Sequence, residues 1–186
     1  MPVNLVFIRH AQGTHNKMAS SIGAGAYNDP VNLDAELTPL GQKQTTENKL
    51  EETFDAIYCS PLRRCRNTLL GVFPQSESMP VILDDRLMEQ PCGGNICDKR
   101  LEKSIILPTF PPTWDHTKVL DNYIWAKDNN ADVEKIRSFT EEIKTKHQNQ
   151  TVLIVSHGTW INLWFIIMKN EGLFLDNCKT ARTTLP

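Results

Sequence analysis

Two imidazoles and two guanidiniums stand where strand-like runs of this chain give way to helical ones. His10 and Arg9 close the run Val3-Asn4-Leu5-Val6-Phe7-Ile8. Arg64 follows soon after Phe54-Asp55-Ala56-Ile57-Tyr58-Cys59. His157 follows Thr151-Val152-Leu153-Ile154-Val155 across Ser156. A guanidinium offers a fork of donors and keeps its proton, and an imidazole donates or attacks near neutral pH. Helix N-termini add amide donors. Brought to one edge, these groups describe a pocket for a dianion.

The elements that must position them follow from local pattern. The run 3–8 lacks clean alternation, so both faces are expected to be buried, as in a parallel sheet. In open α/β sheets ligands bind at the carboxyl ends of the strands, where Arg9, Arg64 and His157 fall. Residues 11–37 read as loop-rich. Thr38 caps a helix that Pro39 opens and that runs to about Glu52. Ser60 is read as the cap, and Pro61 as the start, of a second helix of about ten residues, with Leu62, Cys65, Leu69 and Leu70 toward the core. A guanidinium at that N-terminus, Arg64, opposes the helix dipole unless an anion is present. Arg63 and Arg66 are read as solvated. Val81-Ile82-Leu83 is a short strand. Asp132 to about Gln148 is a helix with Val133, Ile136, Phe139 and Ile143 on one face, and His147 is expected to be exposed. Thr159–Met168 is apolar nearly all round, hence buried. The end, from Cys178 through Pro186, is left as an edge strand or a disordered tail.

Residues 90–131 break the pattern with four prolines after position 90. Cys92-Gly93-Gly94-Asn95 reads as a turn and Asn95 to about Lys103 as a short helix. Trp114, Tyr123 and Trp125 are anchors of either a substrate-selecting insert or a small satellite core. Lys99, Arg100, Lys103, His116 and Lys118 could add positive charge over the pocket. The whole is read as one domain of 186 residues.

With 20 basic and 22 acidic residues, nothing global favours nucleic acid or an anionic membrane. Five cysteines without metal-site spacing read as reduced thiols. No leader pattern is seen, and the longest apolar run falls far short of the roughly 20 residues of a membrane span. The expectation is a cytoplasmic protein without a membrane partner. The glycine-containing stretch 20–26 lacks the Lys-Ser/Thr ending of a phosphate loop.

Arg9-His10 with Asn16, then Ser60-Pro61-Leu62-x-Arg64-x-x-x-Thr68, then Ser156-His157-Gly158, resembles the histidine phosphatase superfamily (phosphoglycerate mutase-like). The motifs keep the family's order from residue 9 to 158, and Leu37-Thr38-Pro39-Leu40-Gly41 is similar to the helix start after the first motif. The resemblance implies a three-layer α/β/α sandwich with a mainly parallel sheet and helices on both faces. It implies phosphate-monoester hydrolysis without cofactor or metal. His10 is then the nucleophile, His157 a ring donor in catalysis and phosphate binding, and Glu89, in a Leu-x-Glu element, the proton donor. Arg9, Asn16, Arg64 and His157 hold the phosphate, helped by amides of residues 158–160. Gln12, Gly13 and His15 are further pocket candidates. The chain departs from the family in having Ala11 after the nucleophile, then Gln12 and Gly13 where an acidic residue and Thr are usual. The substrate expected is a phosphorylated small molecule or phosphoprotein. Alternatives are mutase-type phosphoryl transfer, a phosphate-binding or docking module without turnover, and a metal hydrolase using His10, His15 and His157, disfavoured by the two arginines.

Overall fold

The computed structural model describes residues 1–90, 94–121 and 129–186, with side chains described outside 129–131. Six strands, β1 (Val3–Arg9), β2 (Ala56–Cys59), β3 (Ile82–Asp84), β4 (Asp115–Lys118), β5 (Thr151–Ser156) and β6 (Thr180–Leu185), form one sheet in the order β4-β3-β2-β5-β1-β6. All neighbours are parallel except β6, which runs antiparallel to β1 along the edge.

The strand period of two divides the core. Val6 and Ile8 of β1, with Leu153 and Val155 of β5, face one side, where α2 (Pro39–Glu47) and α3 (Arg63–Val72) lie. Leu69 and Val72 of α3 close that layer. Leu5 and Phe7, with Val152 and Ile154, face the other side. There α5 (Asn129–Lys146) contributes Ile136, Phe139 and Ile143, and α6 (Gly158–Lys169) contributes Trp160, Ile161, Trp164 and Phe165. The result is the α/β/α sandwich.

The packing of β1 matters most for function. Phe7 is fully buried, with ring centroids 4.7 Å from Trp164 and 5.6 Å from Phe165. Burial of one such side chain stabilises by about 1.5–3 kcal/mol, which fixes the strand end that carries Arg9 and His10. Registers Arg9↔Ser156 and Cys59↔Val155 set the ends of β1, β5 and β2 side by side. The three motifs therefore emerge together.

Several elements differ from expectation. Residues 14–22 are helical, α1 (Thr14–Ile22), not loop. Its start carries no conventional cap: Gly13 sits at the cap, and Asn16 Oδ1 accepts its amide at 3.0 Å. Its only buried residue is His15, so there was no apolar stripe to read. α2 stops at Glu47, with Thr38 Oγ1 accepting the Gly41 amide at 3.0 Å as anticipated. Leu62, not Ser60, precedes α3. The short helix expected over 95–103 is instead a 3₁₀ turn at Ile96–Asp98, with α4 at Lys103–Ile106. β4 was not foreseen: its residues Asp-His-Thr-Lys are polar and mostly exposed.

Among the described residues α5 spans Asn129–Lys146, and Asp132 lies within it. Of the anchors in the insert, Trp114 belongs to the core, donating from Nε1 to the Ser76 carbonyl at 2.8 Å. Tyr123, Trp125 and Cys92-Gly93 lie outside the described residues. His147 is half-buried rather than exposed, bonded by Nε2 to Tyr58 OH (2.9 Å) and by Nδ1 to Gln150 Oε1 (2.7 Å). The chain's end is ordered as β6. Cys59, Cys65, Cys97 and Cys178 are free, buried thiols. Among the described residues no helix is long and apolar enough to cross a membrane.

Candidate active site

A cavity of about 360 Å³ opens at the carboxyl edge of β1 and β5. Its wall includes Arg9, His10, His15, Asn16, Glu89 and Asp98. Because β1 ends at Arg9, the next residue leaves the sheet. The His10 amide still donates to the Ser156 carbonyl (3.0 Å), so the backbone under the imidazole is held. His10 Nδ1 lies 2.7 Å from the Ala11 carbonyl oxygen. A carbonyl only accepts, so Nδ1 carries the proton and Nε2 keeps its lone pair. Nε2 makes no hydrogen bond among the described residues. Burial first, then the charge of Arg64, holds this imidazole well below its usual pKa, hence neutral.

Ala11 is not among the residues of positive φ, so the departure from glycine costs no backbone strain. Its amide donates to Thr68 Oγ1 at 2.9 Å, and that hydroxyl donates to the Arg64 carbonyl at 2.7 Å. The nucleophile loop is thereby tied to α3. Gly13 explains a second departure: a Cβ there would lie 2.5 Å from His15 Cε1. Glycine leaves room for the His15 ring, whose centroid is 5.5 Å from that of His10. His15 is buried and held at a pKa of about 2 by burial and by Arg64 and Arg9, so it is neutral too.

Gln12 and Gly13, expected in the pocket, do not line the cavity. The Gln12 side chain turns away to accept from Thr38 Oγ1 at 2.7 Å, and the Gln12 backbone N–H donates to Gln44 Oε1. Its backbone presses on α2: a Cβ on Gly41 would sit 2.2 Å from the Gln12 carbonyl oxygen. Gly41→Ala is therefore expected to destabilise the fold by about 3 kcal/mol, because backbone meets backbone there. A denaturant titration showing an unchanged midpoint would contradict this.

Arg9 lines the cavity and donates from Nη1 to the Leu175 carbonyl at 2.6 Å, while its buried Nε has no partner among the described residues. Asn16 spends Oδ1 on the start of α1, which leaves its amide N–H groups for the cavity. Arg64 and His157 are both fully buried and stand behind the wall. His157 Nε2 is 2.9 Å from Ser60 Oγ, and its Nδ1 is 3.1 Å from Arg64 Nη2. Arg64 can only donate, so Nδ1 accepts and Nε2 carries the proton. Ser60 is thus a support of His157 and not the helix cap. His157 also lies edge-on to His10, centroids 5.1 Å apart.

Glu89 takes the amides expected for a phosphate. Its Oε1 accepts from Gln90 N (2.9 Å) and Trp160 N (3.0 Å), and Oε2 from Thr159 N (3.4 Å). Those bonds favour the carboxylate, but burial, and next the charge of Asp98, push its pKa up to about 7.

Sequence reading missed Asp98 and the segment around Leu175. Asp176, Phe174 and Tyr27 also line the cavity, and Asn177 Nδ2 donates to the His10 carbonyl at 3.0 Å. These are tertiary placements with no local signature. The cations expected over the pocket are elsewhere: Arg100 binds Asp85 (2.9 Å), Lys103 pairs with Asp121 (3.4 Å), Lys118 pairs with Glu142, and neither Lys99 nor His116 lines the cavity.

Fold and site together define an α/β protein with a cleft lined by histidine and arginine at its parallel strand ends. Residues 5–179 match the histidine phosphatase superfamily (branch 1), and the chain belongs to that family. Phosphoserine phosphatase 1 of Hydrogenobacter thermophilus is 28% identical over 83% of this chain and 71% of its own length. The 5''-phosphoribostamycin phosphatase of Niallia circulans is 27% identical over 98% of this chain and 87% of its own. Among solved structures, a mutant phosphoserine phosphatase from Entamoeba histolytica in complex with phosphoserine shares the fold. It has a TM-score of 0.65 at 21% identity, over 97% of this chain and 89% of that one.

Proposed function

We propose that this chain is a phosphatase that hydrolyses phosphate monoesters, without a metal, through a phosphohistidine on His10. The observation that carries the proposal is the His10 ring: Nδ1 is committed to the Ala11 carbonyl at 2.7 Å, which leaves Nε2 as the nucleophilic lone pair on the cavity wall. Nε2 attacks phosphorus, the P–O ester bond breaks, and Glu89 delivers its proton to the leaving oxygen. Glu89 then accepts a proton from water, which attacks phosphorus, breaks the P–N bond and releases phosphate. Arg9, Asn16 and Arg64 spread over the equatorial oxygens. His157 orients Arg64 and crowds His10 from the side.

The relatives support a phosphatase, since they are named for phosphoserine and phosphoribostamycin. A cavity of about 360 Å³ suits a phosphoryl group with a small leaving group. Asn95, Cys97 and Asp98 on its wall support 90–131 as a substrate-selecting insert in a single unit.

The test is phosphate release from p-nitrophenyl phosphate, phosphoserine and 3-phosphoglycerate, with and without chelator. The proposal expects release that chelator leaves intact. Release abolished by chelator, or no release at all, would sink it.

Glu89 sets the pH dependence. It acts as an acid only while protonated, so with a pKa of about 7 turnover falls as pH rises through 7. Glu89→Gln is expected to cost about 10²–10⁴-fold in rate and to remove that alkaline limb. The contribution of Glu89 to stability moves the same way. Between the ordinary value of 4.5 and about 7 the folded protein holds a proton that the unfolded chain has lost. Relative to the Gln variant, wild type should therefore lose stability over that window, against the rise with pH that both proteins share because His10 and His15 are neutral when folded and protonated when unfolded. A pH series of thermal melts reads both.

A further inference from the structure

A buried ion pair, Arg64 with Asp98, backs the cavity wall. Arg64 donates from Nη1 to the Cys97 carbonyl (2.6 Å) and from Nη2 to Asp98 Oδ1 (3.1 Å) and His157 Nδ1 (3.1 Å), while its buried Nε has no partner among the described residues. Asp98 is only 3% exposed. Asn95 Nδ2 donates to its Oδ2 at 2.9 Å, and the Cys97 thiol lies 3.4 Å from its Oδ1. The cavity wall at this point is Cys97 and Asp98, not Arg64. A phosphoryl dianion arriving beside His10 thus meets a carboxylate already seated on the guanidinium that should receive it. Two like charges on one set of donors repel strongly in a buried site.

We propose that Asp98 is a displaceable stand-in for the substrate's phosphoryl group. Its carboxylate caps Arg64 in the free protein and gives up the guanidinium when phosphate enters. The inference rests on the reading of Arg64 as a phosphate ligand. Chemically, a buried guanidinium without an anion is costly, so an internal anion keeps it in place between turnovers. Asp98 sits at the end of the one-turn element Ile96–Asp98, so rotation of its side chain takes the carboxylate off Nη2 while Nη1 stays on the Cys97 carbonyl. The carboxylate then acts as a built-in competitor, and affinity for phosphate is set below what the clamp alone would give.

Orthophosphate is the probe, titrated calorimetrically into wild type, Asp98→Asn and Asn95→Ala. The expected result is that Asp98→Asn binds orthophosphate about tenfold more tightly or better. Asn95→Ala, which keeps the charge but removes its anchor, moves the same way by a smaller factor. The Tm gained at saturating phosphate should also be larger in Asp98→Asn than in wild type. Unchanged or weaker binding in Asp98→Asn, or no binding by any of the three proteins, overturns the inference: Asp98 would then only brace Arg64. Should Asp98→Asn fail to fold, Asn95→Ala decides by the same sign. Ester turnover by wild type and its loss in His10→Ala are measured alongside, so a failed phosphatase reading shows in turnover and a failed Asp98 reading in orthophosphate affinity.

Discussion

His10→Ala is expected to lower phosphate-ester turnover by about 10⁴-fold or more, with the fold intact. No neighbour can take over the attack. His15 is neutral, but its ring stands beside that of His10, 5.5 Å away by centroid, and not in its place. His157 has both ring nitrogens engaged, by Ser60 and Arg64. What survives in the variant is the clamp, which binds phosphate without forming a bond to it. Binding of orthophosphate should therefore persist while turnover disappears. Among the described residues His10 makes one side-chain hydrogen bond, to the adjacent carbonyl, so its loss should cost little stability. A variant that keeps a tenth of the wild-type rate would remove His10 from the mechanism.

Arg64→Ala is expected to be the most disruptive single change to both fold and activity. Asp98 is 3% exposed, and removal of the guanidinium leaves that carboxylate buried without its cation. Breaking a buried pair from one side costs about 3–5 kcal/mol. For a chain of this size that lowers Tm by about 10 °C. The Cys97 carbonyl and His157 Nδ1 lose their donor as well. Arg64→Lys should recover little, since a single ammonium cannot serve three acceptors placed around a planar fork. Removing Asp98 too should restore part of the stability, because the double variant no longer strands a charge, and the two changes should be clearly non-additive. Activity should not return with it. A Tm within a degree of wild type for Arg64→Ala would refute the structural half of this account.

Strand ends were legible because their signals are local. Val3–Ile8 and Thr151–Val155 are apolar runs that stop on charged or polar residues, and the registers Arg9↔Ser156 and Cys59↔Val155 then align them. The resemblance to the family rested on the same residues, and the match over 5–179 agrees with it. The core face of α5 was legible through Ile136, Phe139 and Ile143, all buried.

What escaped was non-local. α1 has a glycine cap and a single buried residue, so neither capping nor periodicity announced it. Ser60 fits the composition of a helix cap, yet its hydroxyl serves His157, 97 positions away in sequence. The amides of residues 159 and 160 looked free to bind an anion, and Glu89 occupies them. Asp98 sits in a stretch broken by prolines and without regular spacing. Only the folded chain shows that it meets Arg64.

The central claim is the covalent intermediate. The measurement is a rapid-mix, alkaline-quench reaction with p-nitrophenyl phosphate, followed by mass spectrometry of peptides kept at alkaline pH. The account predicts one phosphoryl group on the His10 peptide, lost on brief acid treatment and absent from His10→Ala. Steady turnover with no phosphopeptide, or with phosphate on any other residue, would contradict it.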